Sequence, residues 1–314
     1  MTDTESHAPV LTVTREEYDN EFTYAVRCQD IAKLKELLEE NPNYLSQSVI
    51  RDKYALPPIY IAASKNCLPV VKFLIESGAD VNQPQQLIKK YRGRIRLYDD
   101  DTPLMVASIL GHIEIVKLLI KHGAEVNKHN INKETPLYNA CVRMWMHDSK
   151  FEIVRILCEN GANIEMITKD GENALSLAVE GQRIDVVQYL LDQGANPNNS
   201  GTLRTAACLN LTHIAKLLLE RGADPNRTSW GHAPLFEAVS NNNLLLVRML
   251  LQYGATPNVK NPSGASAIYL ATVHREIEIM KDLLEAGAVV DELAKMHAYT
   301  PAIKELLGIP LDRF

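Results

Sequence analysis

Aromatic residues are scarce in this chain of 314 residues, at 6% with two tryptophans, and that argues against one thick aromatic-packed core. Cysteine is also sparse. Cys28, Cys67, Cys141, Cys158 and Cys208 are odd in number and form no CxxC, so thiols used as small core residues in a reducing compartment are expected rather than a disulfide framework. No run of 18 apolar residues occurs, and Met1 to Thr14 is polar without an apolar signal core; a soluble, cytoplasmic protein (nuclear possible) is the expectation, without membrane contact. A basic surplus is missing too. The net charge of −6 speaks against a nucleic-acid binder driven by bulk charge. The nine histidines form no His-x-x-x-His, HExxH or Cys/His cluster, and no nucleophile–base pair stands out; no enzyme, cofactor or metal is expected.

What the chain does have is a ruler. Gly-Ala-Xaa recurs at residues 78, 123, 161, 194, 222, 254 and 287, in steps of 45, 38, 33, 28, 32 and 33 residues. Periods of 20–50 residues mark stacked repeats, in which each unit packs on its neighbours. In the unit around Thr102 a capping hydroxyl precedes Pro103, so a short helix to Leu110 is expected. Gly111-His112 turns the chain, and Ile113 to Lys121 forms a second helix with Ile115, Val116, Leu118, Leu119 and Ile120 on its apolar face. Gly123 ends that helix in a left-handed cap.

Thr-Pro-Leu-x-x-Ala, Gly-His-x-x-Ile-Val-x-x-Leu-Leu and Gly-Ala-[Asp/Glu]-Val-Asn, in this order and spacing, resemble the ankyrin repeat. The resemblance implies an all-α ankyrin-repeat α-solenoid of helix pairs joined by β-hairpin-like fingers. First helices are then expected to start near Pro57, Thr102, Thr135, Asn173, Gly201, Ala233 and Ser266. The expected organisation is a disordered N-terminus over 1–14, a capping helix pair over 15–53 (a degenerate repeat), seven repeats over 54–291 and a C-terminal helical cap over 292–314. In the first cap Phe22, Tyr24, Ala25, Leu34, Leu37 and Leu38 are expected to face inward; in the last, Thr300-Pro301 starts a helix to about Leu307.

Three steps break the ruler. The first is 12 residues longer than 33, and its alternating apolar and basic residues around Arg92-Gly93 predict an elongated β-hairpin finger over 83–100. Its five basic residues run into Asp99-Asp100-Asp101, which either neutralise the finger, with Asp101 capping a helix, or clamp a basic peptide or cation. The basic finger meets an acidic protein patch or solvent in preference to phosphate. The second step inserts five residues around Arg143 to Asp148, bringing Trp145; the fourth is five residues short at Asn196 to Gly201, which leaves no room for a normal finger and predicts a notch. Asn82 and Asn127 resemble asparagines that are hydroxylated in some ankyrin proteins, but a side chain that hydrogen-bonds the finger backbone is sufficient to account for them.

The resemblance implies non-catalytic recognition of a protein or peptide on the concave face, made of fingers and inner helices. Its contact positions fall on Tyr98, Asp99, Asp101, Ile109 and Leu110 in the second repeat and on Glu134, Val142, Arg143 and Trp145 in the third. They continue at Lys169, Asp170, Glu172 and Glu180 in the fourth and at Trp230, His232, Ser240 and Asn241 in the sixth. Acidic and aromatic residues at the centre point to a target carrying Arg or Lys, bound by a monomer. Two alternatives share the architecture: a substrate-recognition subunit of a ubiquitin ligase, for which Glu292 to Phe314 shows no docking box, and an effector of a bacterium or virus acting on host proteins.

Overall fold

The computed structural model describes residues 20–51, 54–91, 94–142 and 149–310, which form two compact units divided at Ala174/Leu175. The expected disorder at 1–14, the Arg92-Gly93 turn and the insertion at 143–148 lie outside the described residues.

In the first unit two helices open the chain, α1 (Glu21–Cys28) and α2 (Ile31–Glu40). Phe22, Ala25, Val26, Leu34 and Leu37 bury their side chains there, and Phe22 stacks on Tyr44. Tyr24 does not face inward as expected: it is 63% exposed, because it falls opposite the apolar stripe that Phe22 and Val26 set at helical spacing. Helix pairs follow: α3 (Pro58–Ser64) with α4 (Leu68–Glu76), α5 (Pro103–Leu110) with α6 (Ile113–Lys121), and α7 (Pro136–Cys141) with α8 (Ser149–Glu159). α5 and α7 start where Thr-Pro places them, and α3 starts at Pro57-Pro58 without a side-chain cap. The Thr102 hydroxyl accepts from the Met105 amide at 3.2 Å and the Thr135 hydroxyl from the Tyr138 amide at 3.2 Å. Thr102 is therefore the cap, and Asp101 is not.

The elongated finger is present as β3 (Gln85–Tyr91) antiparallel to β4 (Arg94–Asp101). It pairs with a short hairpin that the sequence pattern did not announce, β1 (Val49–Arg51) and β2 (Tyr54–Leu56), so that β1-β2-β3-β4 make one antiparallel sheet. The register slips between Gln85 and Gln86, opposite Asp101 and Asp99; the extra residue, Asp100, sits at φ 56°, the signature of a β-bulge.

The second unit carries α9 (Ala174–Glu180) with α10 (Ile184–Asp192), α11 (Thr202–Cys208) with α12 (Thr212–Glu220), α13 (Pro234–Ser240) with α14 (Leu244–Gln252), and α15 (Ala267–His274) with α16 (Ile277–Glu285). It ends in α17 (Glu292–Met296) and α18 (Pro301–Leu306), the latter capped by Thr300 as expected. Where the fourth step is short, one 3-10 turn, Asn199–Gly201, leads straight into α11 in place of a finger.

The Gly-Ala triplets have a common geometry. In each, the alanine amide bonds five residues back and the glycine amide three residues back, as in Ala124 to Leu119 (3.0 Å) and Gly123 to Ile120 (3.0 Å), while the glycine holds positive φ. This is the Schellman cap, which closes a helix on its own last carbonyls. After five of the seven triplets an asparagine stands two residues further on and reaches the next repeat. Asn82 donates to the Gly123 carbonyl (3.2 Å) and accepts from the Glu125 amide (2.8 Å). Asn127 does the same at Gly161 and Asn163, Asn198 at Gly222 and Asp224, Asn226 at Gly254 and Thr256, and Asn258 at Gly287 and Val289. Among the described residues no helix is long and apolar enough to cross a membrane.

Candidate protein-recognition surfaces

In the first unit the fingers carry a hydrogen-bonded row of carboxylates. Asp101 accepts from Gln85 Nε2 (3.1 Å) on one oxygen and from Asn130 Nδ2 (2.8 Å) on the other. Asn130, only 4% exposed, also donates to Glu134 Oε2 (2.6 Å), and its own oxygen takes the amides of Asn132 and Glu134. This side chain is the keystone of its finger: it closes the turn and spaces two carboxylates. The next finger joins through the Lys169 amide, which donates to the Asn132 carbonyl at 3.0 Å. There Glu172 Oε2 accepts from the Tyr138 hydroxyl at 2.5 Å. Burial first, then Glu172, and more weakly Glu134 and Asp170, hold the Tyr138 phenol well above its ordinary value, so it remains a neutral donor.

Of the residues expected to make contacts in this unit, Asp101, Glu134 and Glu172 thus stand in one connected row, with Lys169 and Asp170 exposed at the last finger. Tyr98 and Asp99 occupy β4 opposite Leu87 and Gln86. Leu110, at the end of α5, is 43% exposed and Ile109 half-buried. Val142 is the C-cap of α7, and its carbonyl accepts from Lys150 Nζ. Lys150 is 2% exposed, a buried lysine that sequence reading missed because nothing in its neighbourhood departs from a solvated helix start. Arg143 and Trp145 lie outside the described residues.

In the second unit Glu180 ends α9 in an exposed position. Trp230 and Gly231 form the tip of a two-residue turn closed by reciprocal Ser229–His232 backbone bonds of 3.0 Å. Both residues have positive φ, 56° and 77°, and Trp230 is 84% exposed. Behind the turn, Arg204 Nε and Nη2 both donate to Glu237 Oε1, at 2.9 and 2.8 Å, and His232 Nδ1 lies 3.4 Å from the same oxygen. The His232 ring meets Phe236 edge-on. Arg204 and Glu237 escaped the sequence reading, since their partnership spans 33 residues. Ser240 is exposed at the end of α13. Asn241 is committed internally: its amide donates to the Ala207 and Cys208 carbonyls, 2.9 Å each, the last of α11.

Among the described residues no three His, Cys, Asp or Glu side chains gather as for a metal ion. The described surfaces include one hydrogen-bonded acidic row and one exposed aromatic tip.

Comparison with known proteins places this architecture. Residues 84–168, 126–201, 148–229 and 203–293 match the family described as Ankyrin repeats (3 copies), and residues 56–85 match the Ankyrin repeat. The chain belongs to the ankyrin repeat family, a class of protein-interaction modules. It is similar to the B-cell lymphoma 3 protein homolog of Mus musculus and to the B-cell lymphoma 3 protein of Homo sapiens, each 32% identical over 218 residues, 65% of this chain and 47% of the relative. The putative ankyrin repeat protein FPV031 of fowlpox virus is 33% identical over 39% of this chain and 39% of its own length. Among solved structures, the ankyrin repeat domain of human ASB11 is similar at 26% identity and a TM-score of 0.56, over 73% of this chain and 97% of that one. The chain spans about half the length of the first two curated relatives.

Proposed function

We propose that this chain is a non-catalytic binding module that captures a segment of another protein carrying Arg or Lys, and that the finger row of the first unit is where it does so. The observation that carries this reading is the Asp101–Asn130–Glu134 row with its continuation to Glu172. Asn130 and Tyr138 hold these carboxylates in place before any partner arrives, so little side-chain freedom is lost on binding. Glu134 and Glu172 each accept one side-chain bond, and a carboxylate offers about four acceptor positions, enough for a guanidinium fork. The half-exposed Leu110 supplies apolar surface beside the charges. In this reading the protein acts as a cytoplasmic monomer and needs no cofactor.

The test is a titration of the full chain with a fluorescently labelled Arg-rich peptide. The triple variant D101N/E134Q/E172Q keeps the shapes and most hydrogen bonds while removing the charge. Binding about tenfold weaker or more in the variant is expected. Equal binding with an unchanged circular dichroism spectrum overturns the assignment.

A further inference from the structure

The second unit presents a surface of opposite character. Trp230 stands at the i+1 position of a turn whose two central residues both have positive φ, the pattern of type I′ turns, which favour Asn, Asp or Gly there. A bulky residue in the left-handed region carries strain, and 84% of this large apolar side chain meets water. Neither cost brings a packing gain inside the unit. The backbone around the tip is nonetheless tightly held. A Cβ on Gly231 would meet Pro262 of the following finger at 2.9 Å, and a Cβ on Gly201 would meet Ser229 at 2.5 Å. The shortened turn Asn199–Gly201 therefore packs against the base of the Trp230 finger, at Ser229, and has no further residues with which to flank its tip.

Charge defines what fits there. The segments 196–201, 224–232 and 256–265 contain one carboxylate, Asp224, which accepts from the Asn226 amide. The exposed cations Arg227 and Lys260 have no ion-pair partner among the described residues, and Glu237 beneath is taken by Arg204. An exposed aromatic anchor with free cations on its own finger and on the next matches a carboxylate-bearing segment with an apolar residue at its centre.

We propose that Trp230, Arg227 and Lys260 form a second docking surface, which takes an acidic protein segment bearing a central aromatic or aliphatic side chain. It rests on the reading of this chain as a protein-binding module, but it uses another unit and a partner of opposite charge.

The experiment uses the full chain with Trp145→Phe, which leaves Trp230 as the sole tryptophan. Its fluorescence is followed while adding a short peptide of Asp and Glu around a Phe, its Gln-for-acid counterpart, or single-stranded oligothymidylate. A blue shift with the acidic peptide is expected, about tenfold weaker for the Gln peptide and for R227Q/K260Q, and weaker at high salt. Calorimetry with the single variant W230A, folded by circular dichroism, repeats the loss without relying on the Trp145 substitution. Equal responses to the acidic and Gln peptides, no response in a folded chain, or stronger binding of the oligonucleotide each overturn the proposal. The Arg-rich peptide, added alone to the parent chain in a separate sample, separates this failure from failure of the first-unit reading, since only the latter removes its binding.

Discussion

Trp230 pays for its exposure in backbone conformation, and that makes it separable from stability. Replacing it with Asn, which tolerates the left-handed region, should leave the fold intact and raise stability by up to about 1 kcal/mol. Urea unfolding of W230N against the parent chain checks this; a destabilised variant shows that the indole contributes packing. His112 illustrates the reverse case, a residue whose role is internal. Burial, partly offset by a bond to the Ser64 backbone, holds its imidazole below the ordinary 6.5. The folded protein therefore binds fewer protons than the unfolded chain between that depressed value and 6.5. The stability it confers is complete above about pH 6.5 and is lost as the pH falls through this window. Thermal melts from pH 7.5 to 5 should show a steeper acid-side decline in the parent than in H112Q, and parallel curves contradict it.

At the scale of elements, the helix pairs were readable because their signals are local. Thr-Pro supplies a cap and a first-turn residue without an amide, and Gly-Ala supplies a left-handed end, all within one turn of helix. The long finger was readable for the same reason, through alternation on either side of Arg92-Gly93. The β1–β2 hairpin was not: three-residue strands carry too little periodicity, and they are held by pairing to β3 thirty residues further on. The finger acids were visible as charges, but the Asn130 and Tyr138 bonds that order them, like the Arg204–Glu237 pair, join residues of different repeats. Such joints set the cost of disturbing a finger. Asn226→Ala removes two bonds to Gly254 and Thr256 and should lower stability by about 1–2 kcal/mol, measured by denaturant midpoint. A change under 0.3 kcal/mol indicates that water replaces the rung.

For the whole molecule, the repeat logic predicts that damage stays near where it is done. Within each unit the helix pairs pack on their sequence neighbours, α5 on α3 and α7 in the first, α13 on α11 and α15 in the second. Truncating the fully buried Leu119 to Ala should cost about 2–5 kcal/mol, as cavities in tight cores do. Amide hydrogen exchange should then accelerate most in α3 to α8 and least in α13 to α18; uniform acceleration identifies one cooperative body instead. The asparagine rungs add a consequence for how such a chain changes over generations. Each rung grips only main-chain atoms of the neighbouring triplet, the glycine carbonyl and the amide of its third residue. That third residue is Glu125, Asn163, Asp224, Thr256 or Val289, spanning acid, amide, hydroxyl and aliphatic. The joint is thus indifferent to the side chain it passes through, and mutation is free to rewrite the outer surface residue by residue while the stack keeps its spacing.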